Sequence, residues 1–507
     1  MSLPPIISAM LQPQFYPHEV SQPIQLLQTH ISFVLLTGQY AYKVKKAVNF
    51  GFLDFSTLDL RYHFCHEEVR LNSRLAPDLY IGVVGITEDG VLQNESAEIR
   101  EQIVEYAVKM RQFDQDNLAL NLFNCGAFTA EHVIEIAKQL ARFHHTAQTN
   151  DYIASFGTAQ ALKAVADENY QHTKKYVGIA QTTAQITATK EYTDRIFAQE
   201  NLFSDRLKQG KIRECHGDVH LKNICILENK IQIFDCIEFN EPFRNTDTLY
   251  DAAFLLMDLQ FRERNDLANI FLNTYLEQTN DYEGLPLLPL FCSMRAYIRA
   301  KVTSFLLDDP NIEPLVKQEA RSEAEKYYRL AYQYTQVGQG KIFMMSGVSG
   351  AGKSTIAQKL AIALNGITIR SDVIRKHLAG IDLLTRGSDA IYTPEMTQKT
   401  YQRMTELAIL LAKTGLIVIV DAKYDRYHLR QTLIQTANAQ RIPLKIVFCE
   451  AEIEELRSRL QRRMQQNSDV ADATPALLEK QLAEFEALTA SERELILTAS
   501  EMQAILS

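Results

Sequence analysis

A glycine-rich segment, Gly347-Val-Ser-Gly-Ala-Gly-Lys-Ser354, has the spacing of a phosphate-binding loop. It follows the apolar run IFMM and precedes a pattern with Ile356, Leu360 and Leu364 on one helical face, so it joins a strand to a helix. Glycines in such a loop let backbone N–H groups surround phosphates, while a lysine adds a point charge and a serine at the helix N-terminus binds Mg²⁺. We therefore predict a site for ATP and Mg²⁺ formed by Gly347, Val348, Ser349, Gly350, Ala351, Gly352, Lys353, Ser354 and Thr355.

Charged residues follow the next two apolar runs. Asp372 and Arg375 follow shortly after the run ITI, in Ser371-Asp-Val-Ile-Arg375, and lie one helical turn apart. Ligands bind at the carboxyl ends of strands in open α/β sheets, so Asp372 can accept the proton of a substrate hydroxyl while Arg375 orients the substrate or the transferred phosphate. Asp372 could instead cap the following helix, and both roles can coexist. Asp421 ends the run LIVIV, from where a carboxylate reaches the Mg²⁺ shell through water.

Three arginines, Arg459, Arg462 and Arg463, share one face of a predicted helix whose other side is apolar. In a kinase this face could close over the γ-phosphate as a lid. It could equally be an ordinary solvated face, and the sequence leaves both interpretations open.

A second catalytic pattern lies earlier, in His216-Gly-Asp-Val-His-Leu-Lys-Asn223. Asn223 follows Asp218 by five residues, and the apolar run IQIF then leads to Asp235. In phosphoryl transfer without a P-loop, one aspartate receives the hydroxyl proton, an asparagine binds Mg²⁺ and a second aspartate bridges Mg²⁺ to the phosphates. We assign these roles to Asp218, Asn223 and Asp235 in that order.

This pattern resembles the aminoglycoside and choline phosphotransferase superfamily, which shares the protein-kinase fold, over about residues 30–336. The resemblance implies a phosphate-binding lysine, Lys43 in preference to Lys45, and a partner carboxylate, Glu68 ahead of Glu67. It also implies that the backbone of residues 104–108 binds adenine. Two features depart from the family: the β-rich part has no glycine-rich phosphate loop, and Asp235 is followed by Cys-Ile-Glu rather than Phe-Gly.

Four further residues in this region are expected to be structural. We expect Glu238 to form a structural salt bridge rather than to contact a metal or the substrate. Arg244, Asp247 and Asp251 are expected to brace the catalytic loop.

Residues 340–507 resemble the small P-loop kinases related to polynucleotide kinase and zeta toxins. The resemblance implies Asp372 as general base, Arg375 as a ligand of the substrate or phosphate, and Arg459 and Arg463 as lid residues. Members of this group phosphorylate polynucleotide ends, sugars and nucleotide sugars, so the resemblance leaves the acceptor open.

The secondary-structure pattern divides the chain near residue 338. Before it, strand-like runs cluster at residues 25–110 and helical patterns dominate residues 111–336, which predicts a two-lobed, protein-kinase-like α+β domain over 1–338. After it, continuous apolar runs (IFMM, ITI, LIVIV, LKIVF) alternate with helical patterns. Such runs are typical of a parallel sheet covered on both faces, so we predict a three-layer P-loop α/β domain over 339–507.

Composition narrows the function classes. The 507 residues carry a net charge of −9, and from Lys341 onward 21 Lys and Arg face 19 Asp and Glu. Neither part has the basic excess that binding of long nucleic acid requires. The seven scattered cysteines, without CxxC spacing, indicate neither disulfides nor zinc. We find no signal peptide or membrane-spanning run and expect a cytoplasmic protein.

These features together predict a bifunctional ATP-dependent phosphotransferase acting on small hydroxyl-bearing acceptors. Two alternatives stay open. In one, the N-terminal domain senses nucleotide and regulates a P-loop kinase. In the other, the P-loop domain processes nucleic-acid or nucleoside ends.

Overall fold

The computed structural model describes residues 3–51, 53–94, 100–385, 387, 389–466 and 477–506, with residues 94, 389 and 463–466 described by their backbone alone. Two compact units are present. The first contains Met1–Asp167 and Gln199–Asp258, and the second contains Glu168–Ala198 and Leu259–Ser507.

The secondary-structure elements run as follows in the described residues. The strands are β1 (Gln25–Gln28), β2 (Ser32–Leu36), β3 (Tyr40–Lys45), β4 (Tyr80–Thr87), β5 (Leu92–Asn94), β6 (Ile103–Arg111), β7 (Ile212–Glu214), β8 (Ile224–Leu227), β9 (Lys230–Ile233), β10 (Asn245–Asp247), β11 (Lys341–Ser346), β12 (Ile367–Arg370), β13 (Ile417–Asp421) and β14 (Leu444–Phe448). The helices are α1 (Pro5–Met10), α2 (Leu58–Asn72), α3 (Ala119–Asn124), α4 (Ala130–Thr146), α5 (Asp151–Ser155), α6 (Ala159–Thr173), α7 (Thr183–Phe197), α8 (Glu200–Lys208), α9 (Glu241–Arg244), α10 (Thr248–Phe261), α11 (Asn265–Thr279), α12 (Leu288–Phe305), α13 (Pro314–Gln333), α14 (Lys353–Leu364), α15 (Ser371–Ala379), α16 (Pro394–Lys413), α17 (Tyr427–Ala439), α18 (Ile453–Gln466), α19 (Leu478–Glu484), α20 (Ala490–Arg493) and α21 (Ala499–Leu506).

The first unit is built on an antiparallel sheet with strand order β1-β2-β3-β6-β4-β5. Side chains of a strand alternate between the two faces of its sheet. Tyr42 and Val44 of β3 belong to an apolar cluster on one face, while Ala41 packs with Cys65 of α2 on the other. Lys43 and Lys45 alternate with Tyr42 and Val44 and therefore point to the α2 side. This register brings both lysines to the helix that carries the predicted partner carboxylate.

The catalytic loop of the first unit lies between short antiparallel ladders. β7 pairs with β10, and β8 pairs with β9. The loop from His216 to Asn223 leads directly into β8, and Asp235 follows β9. Asp218 and Asn223 thus lie at one end of the β8–β9 hairpin and Asp235 at the exit from the same hairpin.

The second unit contains a parallel sheet with strand order β12-β13-β11-β14. Its strands are apolar along their length because helices cover both faces, and Phe343, Ile419 and Val447 pack with Leu360 and Leu456 in one core cluster. The predicted fold class is therefore confirmed: an antiparallel, kinase-like region precedes a parallel P-loop sheet.

The second unit also contains the helices of residues 168–198 and 259–336. The rings of Phe261 and Tyr327 stack with centroids 3.7 Å apart, and Tyr297 packs edge-on against Tyr170. Within the described part of the chain, no helix combines the length and the apolar character needed to cross a membrane.

Candidate active sites

The glycines of the phosphate-binding loop allow conformations that other residues would strain. Gly347 has φ +142°, and a Cβ at this position would lie 2.3 Å from the carbonyl oxygen of Cys449. Gly350 and Gly352 have φ of +85° and +87°. These positive φ values turn the chain tightly from β11 into α14, as the spacing of the motif predicted.

Lys353 begins α14 and lies buried beneath the loop. Its Nζ donates to the carbonyl oxygen of Val348 at 2.8 Å, so it contacts the loop that it is expected to serve. Burial lowers the pKa of Lys353, and the negative charges of Asp421 and Asp372 only partly oppose this effect. A phosphate anion beside this ammonium would supply the missing counter-charge.

The P-loop faces a cleft of about 1740 Å³. The structure brings the predicted acceptor-side residues to this cleft: Asp372 and Arg375 from α15 and Asp421 from the end of β13 all line it with Lys353 and Ser354. The parallel register explains this arrangement, because β12 and β13 pair up to Arg370 opposite Asp421 and so end at the same edge.

Arg375 is a buried cation with uncharged partners. Its Nη1 donates to the carbonyl oxygen of Ile391 at 3.0 Å and to Thr397 Oγ1 at 3.2 Å, and its guanidinium lies 5.1 Å from the ring centre of Tyr392. Among the described residues, its Nε has no hydrogen-bond partner. A buried donor without a partner costs free energy, which a ligand with an acceptor oxygen would recover.

Two residues from later helices contact the P-loop. Arg459 of α18 donates from Nη1 to the carbonyl oxygen of Gly350 at 3.2 Å and also pairs with Glu455. Gln481 of α19 accepts the N–H of Ser349 through Oε1 at 3.0 Å, taking a loop donor that could bind phosphate. No local pattern points to Gln481, since it lies far along the chain from the motif. The side chain of Arg463 lies outside the described residues.

In the first unit, Glu68 lies between two lysines of β3. Lys43 Nζ is 2.8 Å from Glu68 Oε1 and 2.7 Å from Asp235 Oδ1. Lys45 Nζ is 2.6 Å from Glu68 Oε2 and also pairs with Glu238. Lys43 is therefore the lysine placed beside Asp235, whereas Lys45 lies deeper, between Glu68 and Glu238.

The charges of this buried cluster hold one another ionised. Burial would lower the pKa of Lys43, but Asp235 and Glu68 raise it well above its usual value. Burial would raise the pKa of Glu68, but Lys43 and Lys45 lower it to about 2. Glu67, the second candidate, instead pairs with Arg70 on the same helix.

The catalytic loop brings Asp218 and Asn223 together. Asn223 Nδ2 donates to Asp218 Oδ2 at 3.0 Å, and His220 Nε2 lies 3.3 Å from the same oxygen. The N–H of Phe234 donates to the carbonyl oxygen of Asn223 at 2.9 Å, which places the loop beside Asp235. Asp235 has φ +62°, a left-handed backbone that directs its side chain towards Lys43.

Asp251 of α10 braces this loop. Its carboxylate accepts the N–H groups of His216 and Gly217 at 3.1 and 2.7 Å, and it also bonds to His144 Nε2 at 3.0 Å. His144, Cys215 and Asp251 lie close enough to hold a metal ion. Because the carboxylate already accepts these N–H groups, we interpret the cluster as structural.

Arg244 and Asp247 support the same region. Arg244 bonds to Glu214 and to the carbonyl oxygen of Glu238, while the buried Asp247 forms a two-pronged pair with Arg206 at 2.7 Å.

The expected adenine-binding segment, residues 104–108, is wrong for its last two residues. Ala107 and Val108 lie inside β6, where they pair with β3 on one side and β4 on the other. Their backbone groups belong to the sheet because β6 extends to Arg111, past the segment that was expected to bind adenine.

Both sites contain oxygen groups of the kind that Mg²⁺ prefers. Asn223 directs its amide N–H to Asp218, which leaves its amide oxygen available to a metal ion, and the Asp235 side chain is 46% exposed. In the P-loop cleft the corresponding groups are the Ser354 hydroxyl and the Asp421 carboxylate. These donor sets fit Mg²⁺ in each site.

Comparison with known proteins gives two matching families. Residues 126–288 match the model of the phosphotransferase enzyme family, and residues 342–488 match a model described as an AAA domain. An uncharacterized protein of Mycobacterium tuberculosis is 28% identical over 468 residues, which cover 91% of each chain. An adenylyl-sulfate kinase of Paraburkholderia xenovorans is 33% identical over 85 residues, 16% of this chain and 43% of that protein.

A solved choline/ethanolamine kinase family protein from Mesorhizobium loti is 9% identical, with a TM-score of 0.38, and the similarity covers 65% of this chain and 97% of that one. The family matches confirm both resemblances noted in the sequence. The chain carries two kinase-type domains and is an ATP-dependent phosphotransferase. One domain is of the phosphotransferase enzyme family type, and the other is a P-loop kinase domain.

Proposed function

We propose that both domains are active, each transferring the γ-phosphate of MgATP to a hydroxyl group of a small acceptor. One activity lies in residues 1–338 and the other in residues 339–507. The observation that carries the proposal is that each catalytic set is complete. Lys43, Glu68 and Asp235 are in contact beside Asp218 and Asn223, and the P-loop shares one cleft with Asp372 and Asp421.

In the kinase-like domain, Asp218 accepts the proton of the attacking hydroxyl. Asn223 donates to its carboxylate and His220 Nε2 lies 3.3 Å from it, so both side chains orient it. Lys43, held by Glu68, contacts the phosphates, while Asn223 and Asp235 would hold Mg²⁺. The metal, when bound, neutralises charge on the phosphates. Positioning and charge neutralisation are the main requirements for phosphoryl transfer.

In the P-loop domain, the loop N–H groups and Lys353 bind the phosphates, with Ser354 and Asp421 as the groups that would hold Mg²⁺. Asp372 lies at the acceptor side of the same cleft and takes the hydroxyl proton. Arg375 binds an oxygen of the acceptor or of the transferred phosphate through its unpartnered side. Arg459 contacts the loop backbone and is a candidate for a closing residue.

The acceptors are expected to be small molecules, because neither part of the chain has the basic excess of a protein that binds long nucleic acid. Sugars, nucleosides and amino alcohols are the classes to test.

The proposal is tested with the full-length chain and γ-labelled ATP, using sugars, nucleosides, amino alcohols and short oligonucleotides as acceptors. Lys353→Ala should abolish one set of products and Asp218→Asn a different set. The matched controls are Lys359→Ala, an exposed lysine on the same helix as Lys353, and Asp205→Asn, an exposed aspartate of α8. Both controls should retain all products.

Two outcomes contradict the proposal. If the wild-type chain labels none of the acceptors, neither activity exists on these substrate classes. If Asp218→Asn leaves every product unchanged, the N-terminal domain acts as a nucleotide sensor and the P-loop domain alone is the enzyme. Salt-sensitive, tight binding of oligonucleotides would instead favour an end-processing role.

A further inference from the structure

Three charged side chains, those of Glu277, Arg370 and Asp421, form a row beside the P-loop cleft. Arg370, the last residue of β12, has its Nη1 3.5 Å from Glu277 Oε1 and its Nε 3.8 Å from Asp421 Oδ2. Glu277 belongs to α11, and Asp421 is the carboxylate expected to hold Mg²⁺ through water. One arginine is therefore shared between a carboxylate of the metal site and a carboxylate from a distant helix.

The α11 helix and the turn after it are held firmly against β12. Asn273 Nδ2 donates to the carbonyl oxygen of Gly366 at 3.1 Å, and its Oδ1 accepts the N–H of Thr368 at 2.7 Å. Asn269 donates to the same Gly366 oxygen at 2.9 Å, and Tyr282 donates to the carbonyl oxygen of Thr368 at 3.3 Å. These hydrogen bonds satisfy backbone groups at the edge of β12 that is not paired with β13, and they set the position of Glu277.

The same helix contacts the start of the acceptor side. The ring of His377 on α15 bonds through Nε2 to the carbonyl oxygen of Glu277 at 2.7 Å. The α15 helix carries Asp372 and Arg375. The α11 helix therefore contacts both this helix and β12, the strand that precedes it.

Competition for Arg370 has a chemical consequence. Asp421 is 5% exposed and Arg370 17% exposed, so their attraction is weakly screened by water. Without Glu277, Arg370 would move from 3.8 Å to direct contact with Asp421 and neutralise the carboxylate. A neutralised carboxylate is a poorer partner for the hydrated cation.

We propose that Glu277 is a positioning residue of the P-loop site, which holds Arg370 back from Asp421 and so preserves the negative charge that Mg²⁺ needs. The inference rests on the proposed assignment of Asp421 to the metal site. Glu277 lies outside residues 342–488 that match the P-loop model and inside residues 126–288 that match the phosphotransferase model. The metal affinity of the P-loop site thus depends on Glu277, a residue within the range that matches the phosphotransferase family.

The test measures binding of Mn²⁺, a spin-active substitute for Mg²⁺, by electron paramagnetic resonance in the presence of a non-hydrolysable ATP analogue. The full-length chain carries Asp235→Asn throughout, which removes a metal ligand of the other site. Glu277→Gln should weaken Mn²⁺ binding about tenfold, through loss of the opposing charge on Arg370. Adding Arg370→Gln to Glu277→Gln should restore affinity to within about threefold, because the competing cation is gone.

Glu283→Gln serves as the matched control. Glu283 follows α11 and pairs with Arg403 of α16, so its loss should leave Mn²⁺ affinity unchanged. Circular dichroism and thermal unfolding of each variant establish that the fold is retained.

Unchanged affinity in Glu277→Gln overturns the inference. So does a double variant that binds as weakly as Glu277→Gln, because Arg370 would then not be the intermediary. If instead Asp421→Asn has no effect on Mn²⁺ affinity, the proposed metal assignment itself fails, a result that is distinct from the other two.

Discussion

Replacement of Glu68 by Gln tests the buried charge cluster of the kinase-like domain. The carboxylate lies 2.8 Å from Lys43 Nζ and 2.6 Å from Lys45 Nζ, and both Glu68 and Lys45 are almost fully buried. At an effective dielectric constant of about 20, each contact is worth about 6 kcal/mol before desolvation is counted. Removing one partner of a buried ion pair costs about 3–5 kcal/mol net. We expect the lower end, about 3 kcal/mol, because Lys43 keeps Asp235 and Lys45 keeps Glu238.

Native-state hydrogen exchange of peptides that cover β3 and α2 measures this cost as a local opening free energy. The matched control is Glu67→Gln on the same helix. The Glu67 carboxylate is 21% exposed and pairs with an Arg70 that is 45% exposed, so its loss should cost less than about 1 kcal/mol. Equal, small effects of the two substitutions would refute the claim that Glu68 holds the cluster together.

The difference in opening free energy between wild type and Glu68→Gln depends on pH, and the pKa of Glu68 determines how. Lys43 and Lys45 outweigh burial and lower this pKa to about 2, against an unfolded value of about 4.3. A carboxyl with a lowered pKa contributes stability above its unfolded pKa and loses it as the pH falls through its folded pKa. The difference between wild type and Glu68→Gln should therefore be complete at neutral pH and shrink between about pH 4 and pH 2.

Further predictions concern the loops and the P-loop lysine. Gly347→Ala places a Cβ 2.3 Å from the Cys449 carbonyl oxygen and should abolish nucleotide binding at the P-loop in equilibrium dialysis. Gly380→Ala also introduces a Cβ at a positive φ (+67°), but with open space around that Cβ, and should leave nucleotide binding unchanged. Asp251→Asn should lower kcat of the kinase-like reaction about 100-fold by releasing the catalytic loop, with P-loop products unaffected in the same assay. Burial lowers the pKa of Lys353, so this cation destabilises the nucleotide-free fold below its unfolded pKa. Lys353→Met should accordingly raise the unfolding temperature at pH 7 by about 2–4 °C, and the gain should shrink as the pH approaches the usual lysine pKa; a lower unfolding temperature would contradict this.

Features encoded in short stretches of sequence could be predicted. The continuous apolar runs around the P-loop became β11 to β14, since a parallel sheet buried on both faces leaves an uninterrupted apolar signal. Period-two alternation correctly placed Lys43 and Lys45 on one face of β3. It could not show that both lysines share Glu68, because that contact depends on how α2 packs.

Contacts between distant segments escaped prediction. Gln481 reaches Ser349 across 132 residues, and Glu277 reaches Arg370 across 93. Neither pairing has a local periodicity or motif that would reveal it. The adenine-binding prediction failed for a related reason, since order along the chain does not show where the central strand β6 ends and its backbone becomes available.

The number of nucleotides bound per chain tests the central claim most directly. Native mass spectrometry of the full-length chain with Mg²⁺ and a non-hydrolysable ATP analogue should detect two bound nucleotides in the wild type, and one each in Lys353→Ala and Lys43→Met. The double variant should bind none. A wild-type chain that binds only one nucleotide, or a Lys353→Ala variant that retains its fold but loses both, would contradict two separate catalytic sites.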